Sequence, residues 1–423
     1  MQSNRRLVLL DPGLAAAVGH HVDVNGPLLQ KLQQDGWQVE LWADAAADPV
    51  LQAELPGLRP LLHAAGYIDP RHWCDLPGCL HQAGLLRPQL QAAAEGAPVG
   101  VWLAHSLVPF QLIALAQLLQ SQPPAQVVVS LMFAPGELFG GQSELDLIAQ
   151  RQAAEANASA TISALALACR RGGHQLMLAA GSQQLAQRYA PLCAAADLPP
   201  PLLHPAVVSL EPGWTPPPSP ERQILLHWGE RKPDKGRELA LGVIEHLLDG
   251  SPLPTSLAQL RWCFHAASHQ PAPPAEAALL QRAAALPQLT LHEGHQPRQQ
   301  MLQQLASSEL ALLPYCPLSY AERSSGVLWL YGAARLASNQ PARVAGFAGG
   351  WLACEAPALG LQWQPLPAAA NAGAVLRALA DALESPPPDS QLNAYGRELL
   401  GASFAAWVAK RLQIDSLQST GPT

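Results

Sequence analysis

The stretch ILLHWGERKPDKGRE, Ile224 to Glu238, carries Lys232 and Lys235, two of the chain's four lysines, with Arg231 and Arg237 beside them. Ahead of the charges, ILLHW is a short apolar run of β character that ends at Gly229. Behind them, Leu239, Leu241, Val243, Ile244 and Leu247 follow helical spacing from about Arg237. The order is therefore strand, cationic glycine-containing loop, helix. A helix start offers free N–H groups and the positive end of the helix dipole, and the added cations make that junction suit a doubly charged phosphate. Open α/β sheets place ligands at such junctions, which favours phosphate binding over a loop whose charges only solvate the surface.

Working outward, 423 residues are enough for two domains with a full core each. Hydrophobic residues make up 49% and charged residues 13%, the balance of a globular rather than a disordered chain. A net charge of −7 argues against nucleic acid as the partner, since backbone binding needs a dispersed basic face. No apolar run reaches the length of a membrane span, and MQSNRRLVLLDPG is interrupted too early for a signal peptide. Cys74, Cys79, Cys169, Cys193, Cys263, Cys316 and Cys354 are scattered without a C-x-x-C pair. They read as reduced, small buried residues of a cytoplasmic protein.

Upstream, RLVLL (Arg6 to Leu10) reads as a first buried strand that runs into the turn Asp11-Pro12-Gly13. Gly19-His20-His21 then opens an amphipathic helix through Leu28, Leu29 and Leu32, and WQVELW (Trp37 to Trp42) is a second strand. This βαβ unit implies a parallel sheet. Its first turn lacks G-x-G-x-x-G, so it is not a dinucleotide fingerprint. No third ligand accompanies His20 and His21 at metal-binding spacing, which leaves them as candidates for substrate contact or for an ordinary loop role. Residues 43–98 are rich in Pro, Ala and Gln and carry little chemistry. Val99 to Leu103, Val127 to Phe133 and Gln175 to Ala179 read as further strands, with a long Ala-rich helix at Ala153 to Cys169. His105 follows the first of these strands, at the end where such sheets bind ligands.

The stretch LLHPAVVSLEPGWTPPPSPER, ending at Arg222, contains the clearest boundary, because its proline run can join neither a helix nor a central strand. It divides the chain into a first domain at 1–210, a linker at 211–222, a second domain at 223–395 and a last helical segment at 396–423. In the second domain, strands are expected at Leu260 to Ala266, Leu289 to His292 and Leu310 to Tyr315, with closing strands at Ala342 to Gly346 and Trp351 to Glu355. One continuous helix is expected from Arg397 to Leu412. Between Tyr315 and the helix VLWLYGAARL lies a second place where charge meets a strand-to-helix turn, Glu322 to Gly326. There Ser324, Ser325 and Gly326 suit a helix N-terminus that bonds an anion. Glu322 needs a partner if buried, and sugar hydroxyls are natural ones, the alternatives being an N-cap serine and a surface carboxylate.

At these residues the chain resembles the large family of retaining, nucleotide-sugar-dependent glycosyltransferases of the GT-B fold, family 4 type (glycosyl transferase group 1). The resemblance covers most of the chain. GERKPDKG is similar to the phosphate loop G-R-x-x-x-x-K-G, and LALLPYCPLSYAERSSGVLWLYGAA to the donor segment with its E-x7-E spacing. GHHVDVNGPLLQKLQQDGWQVELWA resembles the acceptor-side opening, and the terminal LLGASFAAWVAKRLQ is placed like the helix that returns to the first domain. The resemblance implies two doubly wound Rossmann-like domains facing a cleft. It gives catalytic roles to Lys235 and Arg231 on the diphosphate and to Glu322 on the donor sugar. Gly229, Lys232, Ser324, Ser325, Gly326 and, more loosely, His105 complete the donor set, and Gly19, His20 and His21 form an acceptor-side loop. Two positions depart from the pattern: Glu230 stands where an Arg follows the loop glycine, and Leu330 stands at the second Glu, which in the family bonds the ribose.

The activity implied is transfer of a sugar, a hexose above all, from a nucleotide diphosphate donor with retention of configuration. The acceptor is a glycan, a lipid or a small molecule, with peripheral contact at a membrane in the lipid case. No metal and no cofactor are expected, because protein cations and helix N-termini can stabilise the leaving diphosphate and no D-x-D-type pair stands out. In the family the departing phosphate oxygen is held to accept the acceptor's proton, which accounts for the lack of an obvious general base. Two other readings stay open. The departures at Glu230 and Leu330 point to a degenerate, non-catalytic partner subunit, and the fold also suits a hydrolase or epimerase acting on nucleotide sugars.

Overall fold

The computed structural model describes residues 5–16, 20–63, 75–136, 144–210, 213–216, 222–229, 231–266, 272–294, 296–386 and 392–418. It divides into two compact units, Met1–Val208 with Ala402–Thr423, and Ser209–Gly401. Gly19, Glu230 and Cys74 lie outside the described residues.

In the first unit, β1 (Arg6–Asp11), α1 (His21–Gln34), β2 (Gln38–Asp44), α2 (Pro49–Glu54), β3 (Leu58–Leu62), α3 (Leu76–Ala93) and β4 (Val101–His105) follow one another. Then come α4 (Pro109–Leu119), β5 (Gln126–Leu131), α5 (Glu144–Gly172), β6 (Gln175–Ala180), α6 (Gln183–Ala195) and β7 (Leu202–Leu203). The strands form a seven-stranded parallel sheet in the order β3-β2-β1-β4-β5-β6-β7. Helices cover both faces, so β1 and β4 are buried along their whole length, as their unbroken apolar sequences require. The Pro- and Gln-rich stretch after β2 supplies an edge strand, β3. Pro60 is admitted there because an edge has fewer ladder bonds to lose.

The second unit repeats the plan. Its elements are β8 (Gln223–His227), α7 (Arg237–Leu248), α8 (Thr255–Ala258), β9 (Arg261–Ala266), α9 (Pro274–Ala283), β10 (Leu289–Glu293), α10 (Arg298–Ser307) and β11 (Ser308–Leu312). They continue with α11 (Gly326–Ala337), β12 (Arg343–Phe347), α12 (Trp351–Leu359), β13 (Gln362–Leu366), α13 (Ala372–Glu384) and α14 (Ala394–Leu400). Six parallel strands run in the order β10-β9-β8-β11-β12-β13. In both sheets the order reverses once, between β1 and β4 and between β8 and β11. At such a switch point the loops leave in opposite directions and open a crevice at the carboxyl ends of the strands.

Two local expectations are corrected. Trp351 to Glu355 is not a strand but the start of α12, with Trp351, Leu352, Glu355, Ala356 and Leu359 buried. That spacing marks one face of a helix, and the closing strand is β13. The helix expected at Arg397 to Leu412 is two helices, α14 and α15 (Phe404–Gln418), with Gly401 between them. α14 stays with the second unit, whereas α15 belongs to the first and packs on α1. The His204 ring anchors α15, with its centroid 4.7 Å from Phe404 and 5.6 Å from Trp407.

Candidate functional site

The switch point of the second sheet gathers the cationic loop. β8 ends at His227, and the chain passes Trp228 and Gly229 into a 3-10 turn at Pro233–Lys235, then through Gly236 into α7. Gly229 has φ of +121° and Gly236 of +63°. A Cβ added at Gly229 would lie 2.8 Å from Lys235 Nζ, so the ammonium rests against the bare backbone of the glycine. At Gly236 a Cβ would overlap the Pro314 carbonyl oxygen. Gly236 is thus required by close approach as well as by conformation, and Gly229 by its conformation. The Gly229 N–H donates to His265 Nδ1 at 3.2 Å, and His265 Nε2–H donates to the Gly294 carbonyl at 2.7 Å, which fixes that tautomer and the loop start.

Of the other cations here, Lys232 is exposed. Arg231 Nη1 lies 4.0 Å from Glu276 Oε2, and the other oxygen of Glu276 is 2.5 Å from Arg237 Nη2. Arg237, the first residue of α7, is buried with its guanidinium over the Phe264 ring at 5.0 Å. His227 is buried beneath the loop. Burial, then the charges of Lys235 and Arg237, hold its pKa well below the ordinary value, so the imidazole adds no charge at neutral pH.

Glu322, Ser324, Ser325 and Gly326 follow β11, the strand across the switch point from β8, and lie around the start of α11, with Ser325 buried and the other three partly buried. Ser325 is the N-cap: its hydroxyl accepts from the Leu328 N–H at 3.3 Å. The two loops are joined through Asp234. Its carbonyl accepts from the Cys316 N–H at 2.8 Å, and its Oδ2 pairs with Arg323 Nη1 at 2.9 Å. Gly229, Arg231, Lys232, Lys235 and the Glu322–Gly326 segment are therefore at one switch point of one unit. Leu330 is 4% exposed within α11, where the neighbouring side chains of Leu328, Trp329 and Tyr331 are also buried.

His105, grouped on sequence with the donor residues, lies in the first unit, and there the structure places it with His20 and His21. β1 and β4 end side by side, which sets Asp11 beside His105. Asp11 is 0% exposed, with both carboxylate oxygens 2.9 Å from His21 Nδ1 and Oδ2 accepting from Asn25 Nδ2 at 2.6 Å. With its amino group on the carboxylate, Asn25 turns Oδ1 to His105 Nε2–H at 2.7 Å. That leaves His105 Nδ1 to accept from Ser106 Oγ at 3.0 Å, while Ser106 Oγ accepts from His20 Nε2–H at 2.8 Å. Ser106 holds φ at +58°, outside the usual range for a non-glycine residue.

The whole chain of donors ends on one carboxylate. Burial by itself would raise the Asp11 pKa, but His105, His21 and the bonds from His21 and Asn25 more than offset it and hold the carboxyl well below the usual range. Burial takes His20 down to about 3 and His105 down to about 4, so both are neutral at pH 7. Asp11, Asn25 and Ser106 were missed as site residues. Asn25 had a signal, since it stands one helical turn after His21 and shares its face. Asp234, Arg323 and His265 were missed in the second unit. Among the described residues no group of three or more His, Cys, Asp or Glu side chains is arranged to hold a metal ion, and no helix is long and apolar enough to cross a membrane.

No family model matches the chain, and no curated protein sequence matches it. Solved structures do. Trehalose-6-phosphate synthase OtsA aligns over 99% of this chain and 100% of its own, at 12% identity and a TM-score of 0.56. The Escherichia coli trehalose-6-phosphate structure bound with UDP-2-fluoro glucose gives 0.55 at 12% identity over 99% and 100%. The glycotransferase of kitacinnamycin aligns over 96% and 98%, at 14% identity and 0.60. A Listeria monocytogenes protein described as a UDP-N-acetylglucosamine 2-epimerase gives 0.56 at 11% identity over 98% and 97%. Two parallel α/β units in one chain, matched over nearly their full length by these structures, identify the fold as that of the GT-B glycosyltransferases.

Proposed function

We propose that the chain is a glycosyltransferase that takes a hexose from a nucleotide diphosphate donor and passes it to a glycan, lipid or small-molecule acceptor with retention of configuration. The observation that carries this reading is Lys235 Nζ held over the bare backbone of Gly229 at a sheet switch point, with the Glu322–Gly326 segment at the adjoining strand. A diphosphate leaving group gains negative charge as the glycosidic bond breaks, and a preorganised ammonium and helix N-termini stabilise that charge. Glu322 is the group for donor-sugar hydroxyls. Arg231 and Lys232 assist at the diphosphate, and the Asp11-centred histidine cluster of the first unit serves acceptor hydroxyls. No metal takes part in this scheme, and reduced, scattered cysteines fit a cytoplasmic setting.

A thermal-shift screen against UDP-, GDP- and ADP-sugars tests the reading, since a ligand of the native state raises the melting temperature. For a donor that does so, release of the free nucleoside diphosphate with added EDTA and the anomeric form of the product by proton NMR test metal independence and retention. A second reading, a non-catalytic subunit, rests on the sequence departures at Glu230 and Leu330. A wild type that binds no nucleotide diphosphate is the outcome that reading requires.

A further inference from the structure

The ion pair between Asp234 and Arg323 links the two loops of the second unit and has no part in the scheme above. Asp234 belongs to the 3-10 turn that carries Lys235, and Arg323 stands between Glu322 and Ser324. Their side chains are 9% and 16% exposed, with Oδ2 and Nη1 2.9 Å apart. The pair is held from both sides. The Asp234 carbonyl takes the Cys316 N–H, and the Arg323 guanidinium lies 4.9 Å over the Tyr320 ring, which itself packs on Tyr315 with centroids 4.5 Å apart. Asp234 Oδ1 is buried and has no hydrogen-bond partner among the described residues, so the carboxylate depends on Arg323 for charge compensation. An ion pair this enclosed fixes geometry more than it adds stability, because losing Arg323 strands the buried Asp234 carboxylate.

We propose that Asp234 and Arg323 are positioning residues for the donor: their ion pair locks the sugar-reading segment Glu322–Gly326 onto the phosphate loop, so that diphosphate and sugar are bound as one ligand. The proposal rests on the reading that this unit takes a nucleotide diphosphate sugar. It makes a specific demand. The extra affinity of a nucleotide sugar over its parent diphosphate comes from the Glu322 segment, and that increment must pass through the pair. Without it, Lys235 and Gly229 still hold the diphosphate, but the sugar no longer adds to binding.

Calorimetry with UDP, GDP and ADP, and with UDP-glucose, GDP-mannose and ADP-glucose, tests this in the wild type, Asp234→Asn, Arg323→Met, the double variant and Arg323→Lys. The expected result is a wild-type preference for one nucleotide sugar over its diphosphate that falls roughly tenfold in either single variant. The double variant should lose no more than either single one, and Arg323→Lys should keep most of the preference. The Lys variant retains a cation with reach to Asp234, so it separates the pair's role from a general loss of packing. A preference unchanged in both single variants, losses that add in the double, or a wild type that binds sugar and parent alike would overturn the proposal while leaving the donor reading intact. A wild type that binds none of the six compounds would overturn that reading and this proposal with it.

Discussion

Lys235 is the residue on which the functional reading turns. Lys235→Ala should cut turnover on the order of a hundredfold, about 3 kcal/mol of lost charge stabilisation, whereas Lys31→Ala should have little effect. Lys31 pairs with Asp35 at the last turn of α1, the opposite end of that helix from His21, so equal activities of the two variants would remove the phosphate assignment. In the first unit, Asp11→Asn should destabilise the protein by about 2–4 kcal/mol in urea unfolding, because the buried donors His21 and Asn25 lose the charge they converge on. An unchanged midpoint would show that the carboxylate is not the hub. Lys235 was legible in the sequence because four cations stand together in a lysine-poor chain. Asp11 was not, since an Asp before Pro-Gly reads equally well as a turn residue. Only the pairing of β1 with β4 brings it to His105, across 94 residues of sequence as the two numbers differ.

Elements were legible where one signal dominated. Ten of the strands announced themselves as apolar runs between turns, whereas the short edge strands β3, β7 and β13 carry no such run, and α7 and α11 showed by their periodicity. α12 was misread as a strand because WLACE is apolar and short, and its helical face shows only over the nine residues to Leu359. The break between α14 and α15 was hidden because Gly401 interrupts a pattern that apolar spacing alone carries through. Two predictions belong here. Leu330→Glu places a carboxylate in the buried face of α11 and should lower stability by several kcal/mol without creating a ribose site; tighter nucleotide binding at unchanged stability would contradict this. His204 tethers α15 in neutral form: Nδ1–H donates to the Pro205 carbonyl at 2.7 Å, Nε2 accepts from Ser130 at 2.8 Å, and burial lowers its pKa to about 4. His105 is lowered to about 4 as well. Because the unfolded chain takes up these protons first, their contribution is full above the ordinary histidine pKa and is lost as pH falls towards about 4. Melting temperature should therefore drop steadily over that window, and His204→Asn should flatten the slope; a level profile would contradict the neutral assignments.

At the scale of the whole molecule, two parallel sheets were foreseeable from the repeated strand-loop-helix order, and the units divide between Val208 and Ser209, ahead of the expected linker at 211–222. Apolar spacing by itself did not show that residues 402–423 group with the first unit; only the family resemblance led to that expectation. A contiguous fragment 209–401 keeps a whole core and both loops of the phosphate site. It should fold alone and bind nucleotide, whereas 1–208 lacks α15 and should be less stable than the full chain, as separate urea titrations of the two fragments can check. The most direct measurement of the central claim is calorimetric titration of the best nucleotide sugar into wild type, Lys235→Ala and Lys31→Ala. The account predicts saturable binding by wild type and Lys31→Ala at matching affinity, and a loss of about a hundredfold in Lys235→Ala. Wild-type affinity retained in Lys235→Ala, or no binding of any nucleotide sugar by the wild type, would contradict it.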